Sequence, residues 1–465
     1  MAGSGHRLAH APARCRRLAA LAGERRARRR RGGRLAGRRP LPHGLVRGPA
    51  QRAVLLLVRT DRDACRTCQG PRRRPERSLG EEKPVVSSAP HLLHVLPGFA
   101  PGGTELRLVK LINAIGPSFR HSILSLDGGF EAASRLTESV ALVPPPPRRG
   151  PLRFPLALRR LARRIDPDVI LTYNWGATDM ILGARWFSPA CFVHNECGFG
   201  PDEAVRLKPR RVWARRFLLN RVFTTIVVSE TLREIAQSRF RIRPPRLTYI
   251  PTGVDSRRFH PAPVDSVRRR LGLPDGLLIG YMGGLRPEKS VDLLIRAFAR
   301  ADLADASLVL VGDGPLRPRL EQLAAGLGLA GRVVFAGRAA DPLPYYQSFD
   351  VFALSSATEQ TPNALLEAMA CALPCVATDV GDCAALLGRP GPPFLVPPAD
   401  PAAFARSLHC LAADAGLRLR AGAANRLRAA SVYSHEEMVR TYRAVWIDAA
   451  NHARRDLRFS AENRV

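Results

Sequence analysis

From His91 onward the chain alternates short apolar runs with longer amphipathic ones. HLLHVL, TELRLVKLINAI, HSILSL, a helical pattern over 154–165, VILT, a helix after Trp175 and ACFVH follow in turn. The alternation restarts at Leu277 with LLIGYM, VDLLIRAFARA, SLVLVG, LRPRLEQLAAGL, RVVFAG, a helix near 342–347 and VFAL. Apolar runs this short, alternating with helices, predict an α/β chain: two doubly wound (Rossmann-like) domains with parallel sheets covered on both faces. The expected boundaries are 85–255 and 256–432, with the polar, proline-containing stretch 250–263 as linker. A helix over 433–465 should close the chain, because 438–453 carries apolar residues at helical spacing behind a capping-box signal, Ser434 with Glu437 three residues on.

One stretch, 350–387 (DVFALSSATEQTPNALLEAMACALPCVATDVGDCAALL), concentrates the candidate chemistry. It reads as strand, loop, helix, strand and loop. Glu359 then sits on the loop at a strand's carboxyl end, where open parallel sheets bind ligands. Thr361 is expected to cap a helix whose first residue is Pro362, since proline lacks an N–H that the first turn leaves unpaired anyway. The first-turn backbone, with Asn363 and Ala364, should favour an anion such as a diphosphate. Glu367 lies on the wall of the same helix.

The chain has 465 residues, 46% of them hydrophobic, enough for two or three domains with real cores. No apolar run approaches the roughly 20 residues that span a bilayer. Of the net charge of +32, the first 84 residues contribute +17, with 22 Arg and one Lys against six acids. That arm has Arg, Gly and Pro runs, few aromatics and no secretory pattern, so disorder is expected. It reads as an anion-binding arm, as a solvated tail, or as translated sequence upstream of the true start, and the last reading is favoured.

The nine cysteines lack framework spacing, which fits a reducing compartment. Cys65 and Cys68 form a lone CxxC without a partner pair, and Cys371 and Cys375 should pack as small hydrophobes. Asp61 and Asp63 form an acid pair after an apolar run, as divalent-metal sites use, but sit in the arm with no sheet before them, so no metal is expected. Gly326, Gly328 and Gly331 spell GxGxxG between a helix and a strand, the reverse of the dinucleotide-binding context. Residues 206–223 interleave seven cations with Trp213, Phe217 and Phe223, which suits either an anionic membrane surface or a solvated face over a buried stripe.

The central stretch resembles the nucleotide-binding signature of retaining GT-B glycosyltransferases of family 4 (glycosyl transferases group 1). The features carrying the resemblance are Glu359 and Glu367, the Ala368–Ala370 helix, Pro374, and Ala377 through Gly381. The resemblance covers about 85–450. It implies that Glu367 holds the ribose of a nucleotide sugar, that Glu359 contacts sugar hydroxyls beside the reacting carbon, and that Arg286 and Lys289, after Gly284, grip the diphosphate. It also implies that Gly312 and Gly314 lie close to the nucleotide and that His194 contacts the donor near the reacting carbon. Gly102, Gly103 and Glu105 match a Gly-Gly-x-Glu loop lining the cleft, where paired glycines let backbone approach a phosphate. Asn174 and Trp175 resemble an Asn-Trp-Gly element of exopolysaccharide transferases at the acceptor side. In the family, glycine is common where this chain has Gln360 and usual where it has Ala372.

The implied activity is transfer of a sugar, with retention and without metal or cofactor, from a nucleotide diphosphate sugar to a glycan or lipid-linked hydroxyl. The implied location is cytoplasmic, peripheral at the inner face of the membrane. A GT-B sugar-nucleotide epimerase is the alternative within enzymes. Outside them the alternative is a basic nucleic-acid-binding protein, disfavoured because the arm lacks aromatic interleaving and any recognition motif.

Overall fold

The computed structural model describes residues 89–462 apart from 149, 151–152, 185–189, 200–201, 204–205, 264–265 and 390–393. The arm and Asp61, Asp63, Cys65 and Cys68 lie outside the described residues. Two parallel sheets form the frame. Strands β1 (His91–Leu96), β2 (Arg120–Ser125), β3 (Val140–Val143), β4 (Val169–Tyr173), β5 (Cys191–Glu196), β6 (Thr224–Val227) and β7 (Leu247–Tyr249) run in the order β3-β2-β1-β4-β5-β6-β7. Strands β8 (Leu277–Met282), β9 (Ala306–Val311), β10 (Val333–Gly337), β11 (Val351–Leu354), β12 (Cys375–Thr378) and β13 (Leu395–Val396) run β10-β9-β8-β11-β12-β13. The strand order reverses beside β1 and beside β8, and the crevices outside the carboxyl ends there are the natural ligand sites.

Buried apolar runs make these strands. In β1, Leu92 and Leu96 join one core cluster while Leu93 and Val95 join the cluster on the opposite face. Strands β1, β8 and β11 lie where the pattern predicts. Strands β3, β6, β7 and β13 were not expected: they are two to four residues long, and β6 reads Thr-Thr-Ile-Val, too short and polar to stand out.

The last helix, His435–Glu462, lies within the expected 433–465, starts directly after Ser434 and extends past both ends of the apolar stretch 438–453. Ser434 Oγ accepts from the Glu437 amide at 3.3 Å, but the Glu437 carboxylate pairs with Arg440 at 2.6 Å, so only half of the expected capping box forms. Met438, Tyr442, Trp446, Ala449, Ala450 and Ala453 make one helical stripe, and it packs into the core of the first sheet beside Leu92, Leu171 and Val193. The outgoing and returning crossings run side by side, with Val254 N–H donating to Tyr433 O at 2.8 Å and His435 N–H to Val254 O at 3.2 Å. Gly253 is required there, because a Cβ would stand 2.6 Å from Ser434 O. Among the described residues no helix is long and apolar enough to cross a membrane.

Ala372 ends the helix Asn363–Ala370 in the left-handed region at φ 58°, which explains why glycine suits this position. The alanine costs about 1 kcal/mol of backbone strain. Cys371 and Cys375 are buried thiols as expected, and burial pushes Cys371 up to about 12.

Beneath Trp446 lies a buried imidazole pair. His94 Nδ1 is 3.0 Å from the Tyr173 hydroxyl and its Nε2 is 3.0 Å from His121 Nδ1, while the Trp446 ring meets both edge-on. Burial holds His94 well below its ordinary 6.5 and lowers His121 to about 4. Both are therefore neutral in the folded protein where the unfolded chain would already be protonated. Their contribution to stability is full above pH 6.5 and is lost as pH falls from 6.5 toward 4, by about 1.4 kcal/mol per pH unit per histidine at most. Urea unfolding measured across that range should show the decline. His121→Gln should make the decline shallower, leaving the part due to His94; an unchanged slope would remove His121 from the acid sensitivity.

Candidate functional site

A cavity of about 610 Å³ opens between the two sheets, lined by Gly103, Glu105, Asn174 and Trp175 from the first half and by Glu359, Thr361 and Asn363 from the second. The sequence-predicted residues thus divide into those on this cavity and those behind it.

On the second sheet, the loop after β11 brings Glu359 to the 3-10 turn Pro287–Lys289 that follows β8. Glu359 Oε1 accepts from Lys289 Nζ at 2.5 Å and from Ser356 Oγ at 2.6 Å. The loops are tied by backbone as well, Ala357 N–H to Glu288 O at 2.9 Å and Ser355 Oγ to Lys289 O at 3.1 Å. Arg286 does not join them: its side chain is 58% exposed and pairs with Glu288 at 3.3 Å. Gly312 and Gly314 serve loop packing, since a Cβ on either would stand 1.8 Å from Gly283 O or 2.4 Å from Leu285 O. The loop of Gly284 is held by Tyr281, whose hydroxyl donates to Gly284 O at 3.0 Å.

Thr361 is not the helix cap. Its hydroxyl donates to Val228 O in the first half at 3.2 Å, and Pro362 holds the capping position of the helix Asn363–Ala370 with no side-chain cap. Proline's extended ψ of 109° places it outside the helix, so the first turn begins one residue later than expected and opens at Asn363 and Ala364. Glu367, on that helix, accepts from the Tyr346 hydroxyl at 3.0 Å. Burial raises its carboxyl above the ordinary range, opposed by Lys110 of the first half, by the Tyr346 hydroxyl and by Arg258. Tyr346 and Lys110 lie in no motif, so nothing in the sequence marks them as neighbours of Glu367.

On the first sheet, the helix Gly103–Ile115 starts at an extended Gly102 without a side-chain cap. Burial raises the carboxyl of Glu105 in its first turn. Asn174 follows β4 at φ 55°, a strained position for a non-glycine, and its Oδ1 accepts from Cys197 N–H at 2.8 Å. Strain of this kind collects at binding sites, and here it turns Trp175 onto the cavity wall.

Arg211 and Arg215 lie over the Trp175 ring at 5.3 and 5.1 Å. Arg215 is fully buried, between Glu196 at 2.9 Å and Glu203 at 3.2 Å, with Phe199 and Phe240 also within cation–π range. The basic segment 206–223 is therefore not a uniformly solvated face: its helix, Pro209–Leu219, buries Arg215 while Trp213 stays 69% and Phe217 50% exposed. His194 is also fully buried and lies off the cavity wall, with Nδ1 at 2.9 Å from Thr172 Oγ1 and Nε2 at 3.7 Å from Glu196.

Residues 101–258 match the family described as Glycosyltransferase Family 4, and residues 276–414 match Glycosyl transferases group 1. The chain is 38% identical over 200 residues to a D-inositol 3-phosphate glycosyltransferase of Salinispora tropica, covering 39% of this chain and 42% of that one. The chain thus spans less than half the length of that relative. It is 30% identical over 323 residues to a 2-deoxystreptamine glucosyltransferase of Streptomyces kanamyceticus, covering 66% of this chain and 79% of that enzyme. A GDP-mannose-dependent alpha-mannosyltransferase of Mycolicibacterium smegmatis is 32% identical over 269 residues, 54% of this chain and 68% of the relative. In fold, the chain matches Anabaena Alr3699/HepE in complex with UDP at TM-score 0.68 and 19% identity, over 77% of this chain and all of that one. A glycosyltransferase from Rickettsia africae matches at TM-score 0.67 and 17% identity, over 77% and 98%.

Arg215→Ala should destabilise the protein by about 3–5 kcal/mol, because the buried Glu196 loses its arginine and the buried Glu203 is left with Arg211, at 3.0 Å, alone. Replacing Arg215, Glu196 and Glu203 together by apolar residues of similar size should cost much less. Equilibrium urea denaturation of both variants decides whether the network acts through charge or through shape.

Proposed function

The chain belongs to glycosyltransferase family 4, with the GT-B fold, and from that premise we propose that it moves a sugar from a nucleotide diphosphate sugar to a hydroxyl acceptor, with retention and without a metal ion. The observation carrying this reading is the meeting of Glu359, Lys289 and the uncapped start of the helix Asn363–Ala370 at the carboxyl ends of β8 and β11. A carboxylate there can accept from sugar hydroxyls, while an ammonium and helix-start amides can hold a diphosphate.

Glu367, buried on the helix wall, takes the ribose. As the bond from the anomeric carbon to phosphate oxygen breaks, the acceptor oxygen bonds to the same face of that carbon and its proton passes to the departing phosphate. Lys289 and, from its exposed position, Arg286 stabilise the charge gathering on the diphosphate. The donor turns Lys289 away from Glu359 and toward phosphate, leaving Glu359 for the sugar. Glu105, Asn174 and Trp175 form the acceptor wall. Relatives of the chain include a D-inositol 3-phosphate glycosyltransferase and a 2-deoxystreptamine glucosyltransferase, which supports a polar hydroxyl acceptor.

A panel of UDP- and GDP-sugars, with products assigned by anomeric NMR couplings, tests the activity. With the donor so selected, Lys289→Ala should lower kcat about 10²-fold with a smaller change in KM, and EDTA should leave the wild type unaffected. Loss of activity in EDTA with recovery in Mg²⁺ would overturn the metal-free mechanism. Glu367→Gln should weaken nucleotide binding, read by calorimetry, by about tenfold or more. In the wild type that affinity should fall as pH drops through a point above the usual carboxylate range, because the raised Glu367 protonates early.

We further propose that the exposed Trp213 and Phe217, each with an arginine over its ring (Arg216 at 5.2 Å and Arg221 at 3.8 Å), seat the first half on an anionic lipid surface. Sedimentation with phosphatidylglycerol vesicles should exceed that with phosphatidylcholine vesicles. Trp213→Ala with Phe217→Ala should weaken it at least tenfold; equal binding by the double variant would remove this surface.

A further inference from the structure

The helix Glu230–Ser238 of the first half is capped from the other half of the molecule. Its own Ser229 Oγ accepts only from Leu232 N–H, at 3.0 Å. The remaining first-turn amides are taken by Asp382, which follows β12 in the second half: Glu230 N–H donates to Oδ2 at 2.8 Å and Thr231 N–H to Oδ1 at 3.0 Å. The Thr231 hydroxyl adds a third bond to Oδ1 at 2.9 Å, and Asp382 is 3% exposed. A carboxylate at a helix start meets both free donors and the positive end of the helix dipole.

Asp382 is also fastened to the loop that carries Glu359. Its own N–H donates to Gln360 O at 2.9 Å. Its neighbour Gly381 sits at φ 52° so close beneath that a Cβ would stand 2.1 Å from Glu359 O. Beside these contacts the same loop touches the first half twice more, through Thr361 to Val228 O and through Gln360, whose Cγ lies 3.0 Å from the Cβ position of Gly198.

We infer that Asp382 is an interdomain latch and a positioning residue: by capping the helix Glu230–Ser238 across the cleft it fixes the Gln360 backbone and, through it, the place of Glu359 when the two halves are together. The contact is built to be reversible. Opening the cleft returns one carboxylate and two amides to water, where each is solvated, so the latch holds without trapping substrate. The role in turnover rests on the sugar-transfer reading above; the latch itself does not.

The test uses the full chain and two readouts. Hydrogen exchange resolved to single amides requires no substrate. In Asp382→Ala, Glu230 and Thr231 should exchange at least tenfold faster than in the wild type, while Leu232, capped by Ser229, keeps its rate. Turnover of the donor selected in the panel should fall about tenfold in kcat with little change in KM for the donor, and Asp382→Asn, which keeps one acceptor oxygen, should recover part of it. If Asp382→Ala does not fold, Thr231→Val removes only the hydroxyl bond and should still lower kcat severalfold.

Unchanged exchange at Glu230 and Thr231 overturns the latch. Faster exchange with unchanged kcat overturns the positioning role and leaves sugar transfer standing. A wild type that turns over no nucleotide sugar overturns the enzymatic reading alone, because the exchange result still decides the latch.

Discussion

The ion pair between Lys289 and Glu359, 2.5 Å apart, is the contact on which the arrangement of the cleft turns. It joins the loops after β8 and β11, the two neighbouring strands at the switch point of the second sheet, and it forms where a parallel sheet leaves its loops together. Each partner is mostly sheltered, so neither charge could stay there alone without a large desolvation penalty. An anionic ligand that draws off the lysine therefore exposes a carboxylate that seeks hydroxyl donors. In the proposed transfer, two demands of one substrate, charge at one end and hydroxyls at the other, would be met by separating this one pair.

Much of the architecture was legible because buried parallel strands leave apolar runs that amphipathic helices punctuate. HLLHVL, LLIGYM and VFAL each became the strand they suggested. What stayed hidden was set by contacts distant in sequence. Thr361 looks like a cap in any local reading, yet its hydroxyl has a partner 133 residues away, so Pro362 takes the capping position and the helix opens at Asn363. Arg215 reads as one more cation in a basic run; its burial depends on Glu196 and Glu203, which no spacing rule connects to it. The glycines after β9 resemble ligand-cradling residues, and their positions are dictated by the backbone of Gly283 and Leu285 pressing against them. The placing of Glu359 and Glu367 on a loop and the helix after it, and of Lys289 on the loop after β8, was legible because each lies in a local motif, whereas Tyr346, Lys110 and Asp382 lie in none and act on a neighbour from another element.

The two halves share charge as well as chain. Lys110 bears on Glu367 across the cleft, and Asp382 bears on the helix Glu230–Ser238 in the opposite direction. Each half therefore places a charge beside a polar or charged group of the other, Glu367 being served by Arg258 and Tyr346 of its own half as well. The neighbouring crossings at Val254 and Ser434 leave one narrow place about which an opening of the cleft can swing.

The return of the last helix to the first sheet also orders events during synthesis. The face of β1, β4 and β5 that Trp446 covers is complete in sequence by Glu196, yet its cover is made some 250 residues later. At about 5–20 residues per second the ribosome needs on the order of 10–50 s to supply it. Through that interval the apolar face holding Leu92, Leu171 and Val193 has the helix Gly103–Ile115 against it but lacks the stripe of Met438, Tyr442 and Trp446 that completes its cover. The second sheet, whose strands and helices are contiguous in the chain, can mature while the first still waits, so the half made first is the half finished last.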